Sequence, residues 1–339
     1  MIRPSYEPRV LVLGGNSTRW SAREMPQMKN TMNGIEAWAF TFWGDYCGYK
    51  LARDTDIANY DIIIANTNFD RFREYLRLRD HVSPTARWIA LIEGSASDYT
   101  RPNPTMKQVL DSADIVNCIN KFSLPLLRAI TSARVEYLGI PYPAESIREL
   151  SVPVHARKRE VLLCQMLTSR WNDYLVAREL GLDFYGFEHL LSRKFKLLWN
   201  NYKKYGSAVD KYAAFDNVKR LYQDERLRIE PVTNLSRVFD ITGKSFLWMN
   251  LDDRYTWGRN VLDAAALQIP VITTRSTGHA EDFFPQTMLV DEMDIDGAIA
   301  LGKRLLTDEE FYRSVIDIPL EKFDHLSHET MKKTLLGWL

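Results

Sequence analysis

Short apolar runs alternate with polar, helix-compatible stretches through the first 140 residues. The runs fall at 9–13, 38–43, 61–65, 88–92, 114–119 and 135–140, and they are rich in Val, Ile and aromatic residues. Runs of this kind, apolar on both faces, suit strands buried inside a parallel sheet. The intervening stretches 69–80 and 105–111 suit helices. The rhythm breaks at 141–159, PYPAESIRELSVPVHARKR, where three prolines and a basic cluster read as a linker. It then restarts, with strands expected at 161–164, 184–187, 228–231, 246–249, 271–274 and 288–290 and a helix at 172–180. Thr307 and Glu310 have the spacing of a capping box opening a short helix, and 320–339 reads as helical. Two successive β-then-α series predict an α/β protein of two doubly wound, Rossmann-like domains. The expected boundaries are 1–150 and 151–320, followed by a C-terminal helix at 321–339. At 339 residues the chain is long enough for two cores.

One segment exceeds this plan. Residues 188–226 predict a helical insertion in the second domain. It carries Arg193, Lys194, Lys196, Lys203, Lys204, Lys211, Lys219 and Arg220 among Phe, Trp and Tyr residues. Basic residues mixed with aromatics grip phosphates and stack on bases. The same pattern also describes an amphipathic hairpin with its aromatics in the core and its lysines in water. Both readings stay open.

The 44 basic and 44 acidic residues balance, which argues against whole-surface attraction to nucleic acid or acidic lipid. No apolar run approaches the ~18 residues of a membrane span. The opening MIRPSYEPRVLVLGG reads as a strand rather than a signal peptide. Cys47, Cys118 and Cys164 are isolated and sit among apolar or aromatic residues, as buried free thiols do in a reducing compartment. The expected location is therefore cytoplasmic.

The most informative stretch is 249–274, MNLDDRYTWGRNVLDAAALQIPVITT. It reads as strand, loop, helix, strand, with the helix starting at Trp257-Gly258 and Pro270 opening the second strand. A loop delivering a ligand to a helix N-terminus makes an anion site, because unpaired N–H groups and the helix dipole point at it. Asp263 lies about one and a half turns further along, within reach of a sugar hydroxyl while a phosphate sits at the N-terminus. Gly14-Gly15 after the first strand is either a tight turn or a place where backbone approaches a ligand. The G-x-G-x-x-G fingerprint is absent from 14–19, which counts against a dinucleotide oxidoreductase. His325-x-x-His328-Glu329 lacks a third spaced ligand and reads as a solvated face.

Residues 255–272 resemble the nucleotide-sugar motif of GT-B glycosyltransferases, in particular the family 4-like group (glycosyl transferases group 1). That pattern runs approximately E-G-F-G-x-x-x-x-E-A-x-A-x-G-x-P-V-I. Its second acid falls on Asp263, its pre-helix glycine on Gly258, and P-V-I on Pro270, Val271 and Ile272. Its first glutamate falls on Tyr255 and its last glycine on Gln268, both departures. Ile140-Pro141-Tyr142-Pro143 is similar to the phrase that ends the first domain in this group. The resemblance implies two Rossmann-like domains facing a cleft, with the acceptor on the first and the donor on the second. It also implies metal-independent transfer from a nucleotide-diphosphate sugar, UDP- or GDP-linked, with no other cofactor.

By the same resemblance, Asp263 takes the ribose, and Tyr255, Thr256, Trp257, Gly258 and Arg259 line the donor. Arg170 falls on the family's diphosphate-binding lysine, while Gln165 stands where that phrase has an arginine. Glu281 matches the acid of a G-G-x-x-E loop, in the run Ser276 to Glu281. Gly14 and Gly15 lie against the donor. Glu93 falls at a strand end that faces the sugar, where a carboxylate orients a hydroxyl, acts as base or caps the next turn. The acceptor is a glycan, lipid or small molecule. The alternative is a modified base in DNA, reached through 188–226, as in phage enzymes of this fold. A second alternative is a GT-B-like protein that binds nucleotide sugar without transferring it, as the departures at Tyr255, Gln165 and Gln268 would fit.

Overall fold

The computed structural model describes residues 7–14, 19–20, 43–52, 57–67, 72–81, 85–92, 104–164, 172–187, 224–230 and 235–338. The runs expected at 38–42, the helix start at 69–71 and the insertion over 188–223 lie outside the described residues.

By contacts the chain divides into two units. Unit 1 comprises Met1–Pro143, Arg254–Trp257 and Glu321–Leu339; unit 2 comprises Ala144–Asp253 and Gly258–Leu320. The first division thus falls inside the proline-rich 141–159 stretch.

Unit 1 holds strands β1 (Val10–Gly14), β2 (Arg19–Trp20), β3 (Asp45–Gly48), β4 (Ile62–Thr67), β5 (Arg87–Ile92), β6 (Ile115–Cys118) and β7 (Arg134–Tyr137). They form one sheet in the order β2-β3-β1-β4-β5-β6-β7. All neighbours pair in parallel except β2 with β3. Every residue of β1 and β4 is buried, as expected for strands covered on both faces. Trp88 on β5 is fully buried and meets Tyr75 of helix Phe72–His81 edge-on, at 5.3 Å between centroids. The alternation did not predict β3, whose DYCG sequence is short and mixed. It is a strand because its register, Val12 opposite Tyr46 and Leu13 opposite Cys47, buries the aromatic ring and the thiol.

Unit 2 holds β8 (Lys158–Leu163), β9 (Asp183–Phe187), β10 (Leu227–Glu230), β11 (Ser245–Asn250), β12 (Val271–Thr274) and β13 (Met288–Leu289). All are parallel, in the order β10-β9-β8-β11-β12-β13. In unit 2 the chain winds outward from β8 through β9 to β10 and then restarts on the other side of β8, while in unit 1 β2 and β3 lie on one side of β1 and β4 to β7 on the other. The restart lies between β1 and β4 in unit 1, and between β8 and β11 in unit 2. Open α/β sheets bind ligands outside the carboxyl ends of strands at such switch points.

Two sequence expectations need correction. The short helix Glu309–Ile316 is capped by Asp308, not by Thr307. Thr307 ends the preceding helix, Ile295–Thr307, and its hydroxyl donates to the Lys303 carbonyl at 2.9 Å. Asp308 has extended backbone, and its carboxylate accepts from the Phe311 N–H at 2.8 Å. That backbone hydrogen bond holds its carboxyl below the usual carboxylate range. A carboxyl with a lowered folded-state pKa stabilises above its unfolded pKa, and the contribution is lost as pH falls through the folded value. Asp308→Ala is therefore expected to lower the melting temperature at pH 7 and to do less near pH 2, with Thr307→Ala the weaker change at pH 7. Calorimetry at the two pH values checks this. The second correction concerns 320–339. The segment is a 3₁₀ turn, Leu320–Leu326, and a separate helix, His328–Gly337, restarted by Ser327 as N-cap. Among the described residues no helix is long and apolar enough to cross a membrane.

Candidate active site in the second unit

The carboxyl ends of β8 and β11 meet at the switch point of unit 2, where the Cys164 N–H donates to the Met249 carbonyl at 2.9 Å. The chain beyond β11 stays buried through Asn250, Leu251 and Asp252. Buried polar groups need partners, and here they find one another. The Leu251 N–H donates to the Asp173 carboxylate at 2.8 Å. The Asn250 amide donates to the Thr273 and Thr277 hydroxyls, each at 3.4 Å, and accepts from Asn260 at 3.4 Å. The Thr274 and Ser276 hydroxyls both donate to the Asp252 carbonyl. This network ties the ends of β11 and β12 to the first turn of helix Arg259–Ala266.

That helix is fixed at both ends. Its N-cap, Gly258, adopts the left-handed region at φ 83° and offers no side chain to the first-turn N–H groups. A Cβ on Gly258 would lie 1.8 Å from the Gly278 carbonyl oxygen, so only glycine lets these two loops touch. At the other end the Ile269 N–H donates to the Ala264 carbonyl at 2.9 Å and the Gln268 N–H to Ala265 at 3.2 Å. This is a Schellman motif, whose C′ residue must be left-handed. Gln268 fills that place at φ 57°. The departure from glycine at 268 thus keeps the backbone geometry. The helix C-terminal carbonyls are further taken by Arg148, to Ala266 at 2.6 Å, and by Arg157, to Gln268 at 2.7 Å. The basic residues of the expected linker therefore complement the negative end of the helix dipole. Gln268→Gly is expected to raise stability by about 0.5–1 kcal/mol, the left-handed strain relieved less the added unfolded-state entropy. Denaturant melts of the two proteins test it; a loss of stability would sink the strain argument.

Asp263 lies on the same helix. It is 2 % exposed and paired with Arg259 one turn earlier, Nε to Oδ2 at 3.1 Å. Cys164 lies among the same charges. Burial pushes its thiol well above the ordinary cysteine range, and the Asp173, Asp263 and Asp252 carboxylates add to the shift against Arg259. Asp263 and Arg259 thus form an ion pair near the helix N-terminus, with Asp252 and Asp173 buried near the end of β11. Carboxylates accept from hydroxyls, while a guanidinium and first-turn N–H groups bind phosphate oxygens. Glu281, on the short helix Ala280–Phe283, is engaged by Arg275 at 2.7 Å. Its neighbour His279 is buried in the left-handed region at φ 65°, with Nδ1 3.8 Å from the Asp282 carboxylate.

The structure therefore brings Gly258, Arg259, Asp263 and Glu281 into one region of unit 2. Tyr255, Thr256 and Trp257 belong by their contacts to unit 1. Gly14 ends β1, beside the switch point of unit 1, where a Cβ would lie 2.3 Å from the Tyr46 hydroxyl. Gly15, Glu93, Gln165 and Arg170 lie outside the described residues. Sequence reasoning missed Asp173, Asn250, Asn260 and Thr277. The available signal was a polar residue at the end of each apolar run, which alone does not distinguish a ligand group from a cap. Among the described residues no group of three or more His, Cys, Asp or Glu is arranged to hold a metal ion.

No protein-family model and no curated protein matches this chain by sequence. Solved structures do match by shape. A sucrose-phosphate synthase from Thermosynechococcus elongatus superposes with a TM-score of 0.64 at 12 % identity, covering 98 % of each chain. An α,α-trehalose 6-phosphate synthase from Burkholderia multivorans gives 0.65 at 8 % identity, again covering 98 % of each chain. An α-glucosyltransferase in complex with UDP and a 13-mer DNA containing an HMU base gives 0.61 at 12 % identity, covering 98 % of this chain and 99 % of that one. The chain has the GT-B glycosyltransferase fold.

Proposed function

We propose that this protein is a glycosyltransferase that moves a sugar from a nucleotide-diphosphate sugar to an acceptor hydroxyl, with the donor bound in unit 2. The observation that carries the reading is the buried Asp263 carboxylate paired with the half-buried Arg259 at a helix N-terminus beside the β8/β11 switch point. Asp263 accepts from the ribose hydroxyls. Arg259 and the first-turn N–H groups take the diphosphate, joined by Arg170, and neutralise the charge that grows on it as the glycosyl bond breaks. Glu281 orients the donor sugar, and Glu93 acts on the acceptor side. The solved neighbours in complex with UDP and with UDP-glucose make a uridine donor the first choice over a guanosine one. Gln268, one of the residues that depart from the family pattern, still builds the Schellman turn, so that departure leaves the backbone of the proposed donor site intact.

A thermal-shift screen against UDP-, GDP-, ADP- and dTDP-sugars tests the donor site. A ligand at a hundredfold excess over its dissociation constant stabilises by about 2.7 kcal/mol. A shift with one nucleotide class, accompanied by slow release of free sugar from that donor, is the expected result. No shift with any donor in a folded protein removes the reading. Binding without sugar release or transfer to any of a panel of glycosides, lipids and hydroxymethylated DNA moves it to a sugar-nucleotide-binding protein.

A further inference from the structure

Unit 1 carries an aromatic feature that the donor site does not use. Beyond the carboxyl end of β6 the chain runs through Asn120, Lys121 and Phe122. The Phe122 ring lies 6.1 Å from the Tyr255 ring at 58°, and the Lys121 ammonium sits 5.3 Å above Phe122. Tyr255 is 41 % exposed, one of seven large apolar side chains exposed among the described residues. Yet the loop beneath it is held firmly. Asn120, itself buried, donates through Nδ2 to the Thr256 carbonyl at 2.7 Å, and its Oδ1 accepts from the Phe122 N–H at 2.9 Å. One asparagine therefore fixes both strands of the feature. The Thr256 N–H closes a tight turn onto the Arg254 carbonyl at 2.8 Å. Trp257 is buried edge-on against Tyr142, which stacks on Phe323 at 5.9 Å. An exposed aromatic ring on a loop locked from both sides is preorganised to be covered.

We propose that Tyr255, Phe122 and Lys121 form a stacking platform for the flat face of a saturated sugar ring in the acceptor. This deepens the glycosyltransferase reading and rests on it. The axial C–H bonds of a pyranose present a weakly positive, apolar face that matches the negative face of an aromatic ring. Its equatorial hydroxyls lie in the ring plane, where the Lys121 ammonium and the Tyr255 hydroxyl meet them. The tilt of the two rings gives one open wall, not a slot between parallel planes. Nucleic-acid sites instead line successive bases with stacking rings and gather several cations along the backbone. The Lys121 ammonium over the Phe122 ring, in a chain of zero formal net charge, favours the sugar. Tyr255 replaces the acid of the motif, and this change exchanges a hydrogen-bond acceptor for a stacking surface.

Saturation-transfer difference NMR with methyl α-D-glucopyranoside, maltose and a 20-mer single-stranded DNA as separate probes tests the platform, with UDP binding measured on the same samples. The expected result is transfer to the ring C–H protons of a glycoside, reduced at least fivefold in Tyr255→Ala and Phe122→Ala and retained in Tyr255→Phe. UDP binding stays unchanged in Phe122→Ala, which separates the platform from the donor site. Glycoside signals that are absent, or equal in wild type and Tyr255→Ala, overturn the proposal while leaving the donor reading to stand or fall on UDP. DNA binding that is lost in Tyr255→Ala, with no glycoside signal, overturns it in favour of a base-stacking site. Should Phe122→Ala not fold, Tyr255→Ala against Tyr255→Phe decides alone, since Tyr255 is exposed.

Discussion

Gly258→Ala is expected to be the most destabilising single substitution in the loop region of unit 2. Two costs combine at this position. Alanine at φ 83° carries a left-handed penalty of about 1–2 kcal/mol. Its Cβ would also lie 1.8 Å from a backbone oxygen, that of Gly278, which no side-chain rotation relieves. Forced overpacking costs roughly 1–3 kcal/mol and more where backbone must move. A total of about 3–4 kcal/mol corresponds to a fall in melting temperature of roughly 10 °C for a domain of this size. Gly181→Ala separates the two costs. Gly181 is also left-handed, at φ 66°, but nothing lies within 4 Å of its Cβ position. It is expected to lose only about 1 kcal/mol, the conformational part. Equal losses at 181 and 258, read by denaturant melts, would show that the contact with Gly278 costs nothing. The consequence is functional as well. The same contact sets where the helix starts, so a shifted loop displaces the first-turn N–H groups and weakens phosphate binding together with stability.

Asp263 and Arg259 carry the largest expected effects on binding. The pair is nearly dry on the carboxylate side, with side chains 3 % and 30 % exposed. Hydrogen bonds to a charged group contribute about 1.5–3 kcal/mol each. A carboxylate that accepts from two ribose hydroxyls is thus worth about 3 kcal/mol, or roughly 100-fold in affinity. Asp263→Ala is expected to weaken uridine and UDP alike by that factor. Arg259→Ala is expected to weaken UDP and leave uridine at its wild-type affinity or tighter, because the carboxylate no longer has the guanidinium as competitor for the ribose. It is also expected to cost more stability than Asp263→Ala, since it withdraws the guanidinium from the more buried charge of the two. Isothermal titration with uridine and UDP reads both arms. If Arg259→Ala weakens uridine as much as UDP, the guanidinium serves the fold rather than the diphosphate.

Much of the fold is legible in the sequence. Continuous apolar runs such as RVLVL at 9–13 and DIIIA at 61–65 read as buried parallel strands, because strands covered on both faces have no polar alternation. The runs 271–274 and 288–290 fell on β12 and β13, and the helix expected at 172–180 on Asn172–Glu179. The cap at 307–310 was misread because Thr and Asp adjoin. Both residue types cap helices, and the choice follows from where the preceding helix ends, which the helix packing sets. β3 was missed because four residues of mixed polarity carry too little period to register.

The sequence by itself determined the two β/α series, the place of most strands, and the segment 249–274 with Gly258 and Asp263 at the start and middle of one helix. These are local properties, written in the period of apolar residues and in glycine and proline. The tertiary structure alone decided the rest. Strand order created the switch points between β1 and β4 and between β8 and β11, since a sequence lists strands but does not say which lie side by side. Only folding brought Asp173 to Leu251 and Asn250 to Thr277, through hydrogen bonds between residues 78 and 27 positions apart. It turned the linker's Arg148 and Arg157 into caps for a helix more than a hundred residues away. It also assigned residues 254–257 to unit 1 although the chain on either side belongs to unit 2. Long-range pairing depends on the summed fit of two distant surfaces, and no window of sequence contains both.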